Sequence, residues 1–169
     1  MMQTQITIPT IRLSDALHDD SVFIDVRSPG EYAQFHIDGA INIPLFSDEE
    51  RAEVGTLYRQ KGQEEAIQAG LAMLSHKLPQ LYKQFRAIEQ QYPQKRLVVY
   101  CWRGGMRSKG IVTVMAALGL AVVQLEGGIR SYRQWIVQGL EDEQALQKPF
   151  VVLSGNTGTG KTVILNNLA

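Results

Sequence analysis

The chain has 169 residues, 44% of them hydrophobic and 20% charged, enough for one globular domain with a remainder and too few for a large enzyme. Its 17 basic and 17 acidic residues leave a formal net charge of zero, which argues against indiscriminate polyanion binding. No stretch approaches the roughly 18 apolar residues of a membrane span, Met1 to Asp15 carry no basic n-region or apolar h-region, and the single cysteine fits a reducing compartment. A soluble, cytoplasmic protein with no membrane partner is the expectation.

The charges are unevenly spread. Lys77, Lys83, Arg86, Lys95, Arg96, Arg103, Arg107 and Lys109 face Glu89 alone over residues 77–109, whereas Asp15 to Glu53 holds ten acidic residues against Arg27 and Arg51. Sharing a face with the Cys101 loop, the basic set would form a positive field suited to RNA; the alternative is a solvated surface.

In chain order, Val22-Phe23-Ile24-Asp25-Val26 reads as a buried strand, and Ser28-Pro29-Gly30-Glu31 is a capping box with proline at the first helical position. A helix from about Pro29 to Phe35 follows, then a short strand within Gly39 to Pro44. Between Pro44 and Leu97 the chain reads as helical. Ile67, Leu71, Leu74, Leu78, Leu81, Phe85 and Ile88 recur at spacings of four and three, one amphipathic face that predicts plain core packing. Pro79 predicts two helices or a kink near Leu78. Leu97 to Tyr100 and Val122 to Leu125 are further strands, the latter ahead of Gly127-Gly128, with a helix from Ser108 to Leu118 between them. Strands alternating with helices predict an α/β fold, an open and mostly parallel sheet with helices on both faces, whose ligands bind beyond the carboxyl ends of its strands.

Cys101 stands at such an end, opening Cys101-Trp102-Arg103-Gly104-Gly105-Met106-Arg107-Ser108. A loop between a strand and a helix N-terminus aims backbone N–H groups inward, and these, the helix dipole and the permanent charges of Arg103 and Arg107 favour a thiolate. A lone cysteine is more often a small core residue, but a core position does not call for two glycines and two arginines. Cys101 is therefore the catalytic candidate, with Trp102, Arg103, Gly104, Gly105, Met106 and Arg107 binding an anionic substrate. Asp25 and Arg27 either orient this loop or form a structural ion pair; His36 reads as structural, and His18 and His76 have no motif around them.

Glu141 to Lys148 is polar and suits a linker. Phe150-Val151-Val152-Leu153 then leads into Gly155-Asn156-Thr157-Gly158-Thr159-Gly160-Lys161-Thr162, a full G-x-x-x-x-G-K-T match. Gly155, Gly158 and Gly160 let backbone N–H groups wrap phosphate, Lys161 reaches outer phosphates, and Thr162 would hold magnesium. A P-loop domain needs further strands and an acidic residue, absent after Ala169. The expectation is a fragment or a truncated chain, binding nucleotide or diphosphate only weakly. The organisation expected is a domain over 1–140 with a helical insert at 45–96, a linker at 141–148 and the start of a P-loop domain at 149–169.

The segments from Asp25 to Tyr32 and from His36 to Pro44, the Cys101 loop, and Leu125-Glu126-Gly127-Gly128 with Trp135 together resemble a rhodanese domain. The eight-residue loop, the insert carrying Gly55-Thr56-Leu57-Tyr58 and the appended P-loop are similar to the tRNA 2-selenouridine synthase family. That resemblance implies a transferase that replaces sulfur with selenium on wobble-position 2-thiouridine of tRNA. It draws selenium from selenophosphate and is also known for geranylating the same sulfur, with geranyl diphosphate as a second substrate and Cys101 as the selenium-handling nucleophile. It implies no cofactor or metal required within this chain.

The loop also fits the C-x5-R-S pattern of cysteine phosphatases, since both chemistries hold an anion over a thiolate. No loop residue is an obvious general acid for a phosphatase. A persulfide carrier without turnover is the third reading.

Overall fold

The computed structural model describes residues 7–145, 154–156 and 158–166. Two fully buried four-residue runs, β2 (Val22–Asp25) and β4 (Leu97–Tyr100), pair in parallel at the centre of a sheet. Around them lie β1 (Thr10–Ile11), β3 (Ile41–Asn42) and β5 (Val122–Leu125), in the order β1-β5-β4-β2-β3 with every pairing parallel. Asp25 is registered against both Tyr100 and Asn42, so the segments after β2 and β4 leave the sheet at one edge.

Period-two alternation sorts the strand residues between two cores. Val22, Ile24, Leu97, Val99, Cys101 and Val122 point to a face covered by α4 (Gln63–Gln91) and α5 (Met106–Ala117), through Leu81, Phe85, Ile88, Ile111, Val112 and Met115. Phe23, Val98, Tyr100 and Leu125 point to the other face, against Leu13 and Ala16 of α1 (Leu13–His18), Ile37, and Ile129 of α6 (Ile129–Ala145). The open parallel sheet with helices on both faces is as expected; β1 and α1, too short to show a period, were not foreseen.

Two expectations change. The insert breaks into α3 (Asp48–Lys61) and α4 at Gly62, whose φ of +98° suits glycine, and α4 runs unbroken through Pro79. A proline there costs one helical hydrogen bond and a clash, outweighed by the burial of Leu81, Phe85 and Ile88 one to three turns on. The apolar stripe is buried in its C-terminal half, but Leu71 is 64% exposed. Its N-terminal half lines a cavity instead.

The basic and acidic blocks meet each other across the fold. Lys77 pairs with Glu50, Lys95 with Asp20 (2.7 Å), Arg96 with Asp19 (3.0 Å), Arg107 with Glu31 (2.7 Å) and Arg86 with Glu89. Among the described residues only Lys83, Arg103 and Lys109 of the basic set make no ion pair. The charge asymmetry along the sequence is thus largely taken up by internal pairing.

α2 (Pro29–Gln34) starts at the foreseen capping box, where Glu31 accepts from the Ser28 N–H at 3.2 Å. Ahead of it, Asp25 and Arg27 form a buried ion pair. Arg27 Nη2 donates to Asp25 Oδ2 and to the Phe35 carbonyl, both at 2.6 Å, and Asn42 Nδ2 donates to the Asp25 and Arg27 carbonyls. Burial alone would lower the Arg27 pKa; hydrogen bonding and charge from Asp25 hold it above its ordinary value. The pair ties β2 to the end of α2 and to β3.

The chain divides into two units, 1–135 and 136–169, with the sheet in the first. Glu141 to Ala145 of the expected linker continue α6, while 146–148 and the strand expected at Phe150 to Leu153 lie outside the described residues. No described helix is long and apolar enough to cross a membrane.

Arg27→Met leaves Asp25 as a buried carboxylate without its cation, so urea denaturation should show a loss of about 3–5 kcal/mol. Asp25→Leu added to Arg27→Met should recover part of it.

Candidate active site

The chain leaves β4 at Cys101 and enters α5 at Met106, with Gly105 as its N-cap residue. Among the described residues no backbone N–H from Trp102 to Arg107 donates to a protein acceptor. The foreseen cradle is therefore a run of consecutive unspent donors at a helix N-terminus, an arrangement suited to an anion.

The loop is shaped from behind by the turn after β5. Ile129 N donates to the Cys101 carbonyl at 2.9 Å and Arg130 N to the Trp102 carbonyl at 3.3 Å. Gly128 has φ +58°, and a Cβ there would lie 2.3 Å from the Cys101 carbonyl and 2.7 Å from the Gly104 nitrogen. Gly104 has φ +68°, and a Cβ there would lie 3.1 Å from the Leu125 carbonyl and 3.3 Å from the Gly127 nitrogen. Backbone meets backbone along this seam, which no side chain fits.

Cys101 is 3% exposed, at the floor of the loop. Its Sγ lies 3.1 Å from Ser108 Oγ. Gln124 Nε2 donates to that same Oγ at 2.8 Å and to the Gly104 carbonyl at 2.8 Å. With Gln124 supplying a proton to Oγ, the serine's own hydrogen is free to turn toward sulfur, since its other acceptor, the Gly105 carbonyl, is at 3.4 Å. A buried chain of hydrogen bonds from Gln124 through Ser108 thus ends at the sulfur. Ser108 and Gln124 were not among the foreseen site residues. The signal was there in Gln124, a polar residue on an inward position of an apolar strand.

Trp102, Arg103 and Met106 project outward, Trp102 being 39% and Met106 56% exposed. Arg107 is held by Glu31 through two bonds, 2.7 and 3.3 Å. Burial pushes the Glu31 carboxyl up, but Arg107, the Ser28 N–H and Arg51 more than offset it, leaving its pKa below the ordinary value of 4.5. His36 stacks on Tyr32 with ring centres 4.0 Å apart and bonds the Tyr32 carbonyl, away from the loop's own contacts.

Beside the loop lies an apolar cavity of about 270 Å³, lined by Phe46, Tyr58, Ile67, Leu71, Leu74 and Met106 among others, with Arg107 also on its wall. In the second unit, Lys161 Nζ at the start of α7 (Lys161–Asn166) donates to the Gly155 and Asn156 carbonyls, both at 2.7 Å, and Gly158 and Gly160 have φ of +87° and +79°. Thr162 follows on α7.

A family model for the Rhodanese-like domain matches residues 11–134. The chain belongs to the rhodanese-like family. The chain is 38% identical over 151 residues to the tRNA 2-selenouridine synthase of Serratia proteamaculans, covering 89% of this chain and 40% of that protein. It is 36% identical over 163 residues to the Shewanella denitrificans enzyme of the same name, covering 96% and 44%. The chain thus spans about two fifths of the length of these curated relatives. A crystal structure of the N-terminal domain of a Clostridium difficile 630 protein named for ATP/GTP binding is 45% identical, with a TM-score of 0.72, over 75% of this chain and 98% of that one.

Gly128→Ala should displace the rhodanese-like loop and slow Cys101 alkylation by iodoacetamide at least tenfold (order of magnitude). Ser108→Ala, which keeps the backbone, should slow the same reaction severalfold at a fixed pH, whereas a serine that only packs would leave the rate unmoved. Glu31 gives a pH effect. Its folded pKa is depressed, so its contribution to stability is present above the ordinary carboxylate range and lost as pH falls through it. Thermal melts should show Glu31→Gln losing less stability than wild type between roughly pH 5 and pH 3.

Proposed function

We propose that this chain is the selenium-handling part of a tRNA 2-selenouridine synthase, a transferase acting on the sulfur of wobble-position 2-thiouridine with selenophosphate as donor. The observation that carries this reading is the row of unspent N–H donors from Trp102 to Arg107 around Cys101, a size and polarity suited to a phosphate-bearing donor. Similarity to synthases of that name over about nine tenths of the chain supplies the substrate class. Cys101 is the nucleophile: its sulfur attacks the donor's phosphorus as the phosphorus–selenium bond breaks, selenide leaves with the electron pair for the base carbon, and water then releases phosphate from the cysteine. The loop amides and Arg103 neutralise the donor, and Arg107, shared with Glu31, orients it.

A geranylated intermediate fits the same surroundings. Exchange at the base carbon forms one carbon–selenium bond and breaks one carbon–sulfur bond; the sulfur leaves with the electron pair, as geranyl thiolate when geranylated, so no oxidant is needed. The apolar cavity against Met106 and Arg107 is where a hydrocarbon chain would lie with its diphosphate toward the arginine. In the complete protein we assign Gly155, Gly158, Gly160, Lys161 and Thr162 to binding a phosphate group, of a nucleotide or of the diphosphate. Lys161 would exchange its present carbonyl partners for that phosphate, and Thr162 would hold any magnesium ion accompanying it.

The Ser108–Cys101 contact also suits a phosphatase of the C-x5-R-S pattern, and the two readings separate by experiment. Cys101→Ser in the complete protein should abolish 2-selenouridine in tRNA nucleosides analysed by mass spectrometry after complementation, with an unchanged melting curve. Normal 2-selenouridine in the variant overturns the assignment. Steady Cys101-dependent turnover of a phosphomonoester would favour the phosphatase, and a stable persulfide without turnover the carrier.

A further inference from the structure

Arg107 lines a second cavity, of about 390 Å³, whose chemistry is opposite to that of the first. Its walls are Trp102, Phe35, Arg51, Arg133 and Glu31 with Arg27 and Gln34. Arg27 is neutralised by Asp25, so three guanidinium groups, of Arg51, Arg107 and Arg133, face the single carboxylate of Glu31. Arg107 is paired with Glu31, but the other two are charges that the internal pairing leaves largely free: Arg51 reaches Glu31 only at 3.8 Å and is half exposed, and Arg133 lies over the Phe35 ring at 5.1 Å.

The aromatic groups are as informative as the charges. Trp102 is 39% exposed although it sits in the catalytic loop next to Cys101. Phe35 is fixed from behind, because buried Arg27 holds its carbonyl at 2.6 Å. From Phe35 the rings continue to Tyr132 at 6.0 Å and Trp135 at 5.8 Å, the last pair stacked within 19°. Trp102 and Phe35 thus share the cavity wall with Arg51, Arg107 and Arg133. Flat rings take unpaired bases and guanidinium groups take phosphates, which together form the usual platform for single-stranded nucleic acid. A duplex keeps its bases stacked inside and has nothing to insert here.

We propose that this cavity seats a single-stranded nucleotide segment, one base stacked on Trp102 and its flanking phosphates held by Arg51 and Arg133. The proposal rests on the tRNA-modifying reading above and deepens it by naming where an unpaired base would approach Cys101. Glu31 holds Arg107 at the boundary between this cavity and the apolar one, leaving Arg51 and Arg133 for the phosphates.

The test uses the full 169-residue chain in a Trp135→Phe background, so that Trp102 is its only tryptophan. Titration with heptauridylate at low salt should quench Trp102 fluorescence saturably, while a duplex RNA of equal charge quenches weakly and tripolyphosphate not at all. Arg51→Glu with Arg133→Glu should weaken heptauridylate binding at least about tenfold and flatten its salt dependence; Lys83→Glu, on the exposed side of α4, should change neither. As a second route, Trp102→Leu should weaken binding of labelled heptauridylate, read by anisotropy, about fivefold or more. Absence of quenching, equal loss with Lys83→Glu, no loss with Trp102→Leu, or full competition by tripolyphosphate would overturn the nucleotide site. The readout is affinity without turnover, so failure of the selenium assignment at Cys101 leaves this measurement standing, and its own failure leaves that assignment standing.

Discussion

The contact on which the rest depends is the one between the carbonyl of Cys101 and the backbone of Gly128. The cysteine loop has no internal hydrogen bonds to hold its N–H groups in a ring; it takes its shape from being pressed against the turn after β5. Both strands must therefore end level and side by side, which the register of Leu97, Val98 and Val99 against Val122, Val123 and Gln124 ensures. Gln124 then reaches across from β5 to the Gly104 carbonyl and to Ser108, so the same strand that backs the loop also holds the serine beside the thiol. The sheet is the instrument that aligns donors from β5 with a nucleophile from β4, and α5 supplies the dipole.

A second layer of order comes from charge. The acid-rich segment before residue 54 and the basic segment after residue 76 pair with one another at several points. Exposed pairs of this kind contribute little each, and their effect here is on the field rather than on stability: they remove most of the positive potential the sequence suggests. The buried Asp25–Arg27 pair is different, since neither partner has access to water and the unpaired alternative is costly. It fixes the Phe35 carbonyl at the end of α2.

Local rules reached far into this chain. The capping box at Ser28, the strands from Val22 and Leu97, and the loop at Cys101 were legible because apolar runs, a proline at the first helical turn and paired glycines each have a near-unique local meaning. What escaped was non-local. Nothing around Gln124 announces that it will lie under Ser108, sixteen residues earlier, and a helix period cannot tell whether Leu71 meets a core or a cavity. At Pro79 the opposite holds: its local penalty is real, but α4 continues through it because the burial of Leu81, Phe85 and Ile88 beyond it outweighs that penalty. The basic segment was legible as charge and illegible as a partner, because pairing is decided by the fold.

Arg107 is the point where these strands of argument meet. One face of its surroundings is hydrocarbon, built from α3, α4 and the start of α5, and the other is cationic and aromatic. A guanidinium free to swing would let an anion wander between the two, but Glu31 holds it through two bonds and is itself anchored on the Ser28 N–H. The cost is a partial loss of positive charge at the cradle; the gain is a fixed partition between a dry wall and a wet one, within reach of a nearly buried thiol. On the proposed reading that partition matters, because the reaction brings an anionic donor, a hydrocarbon leaving group and a nucleotide to one sulfur or selenium centre. Each then meets a surface of its own polarity.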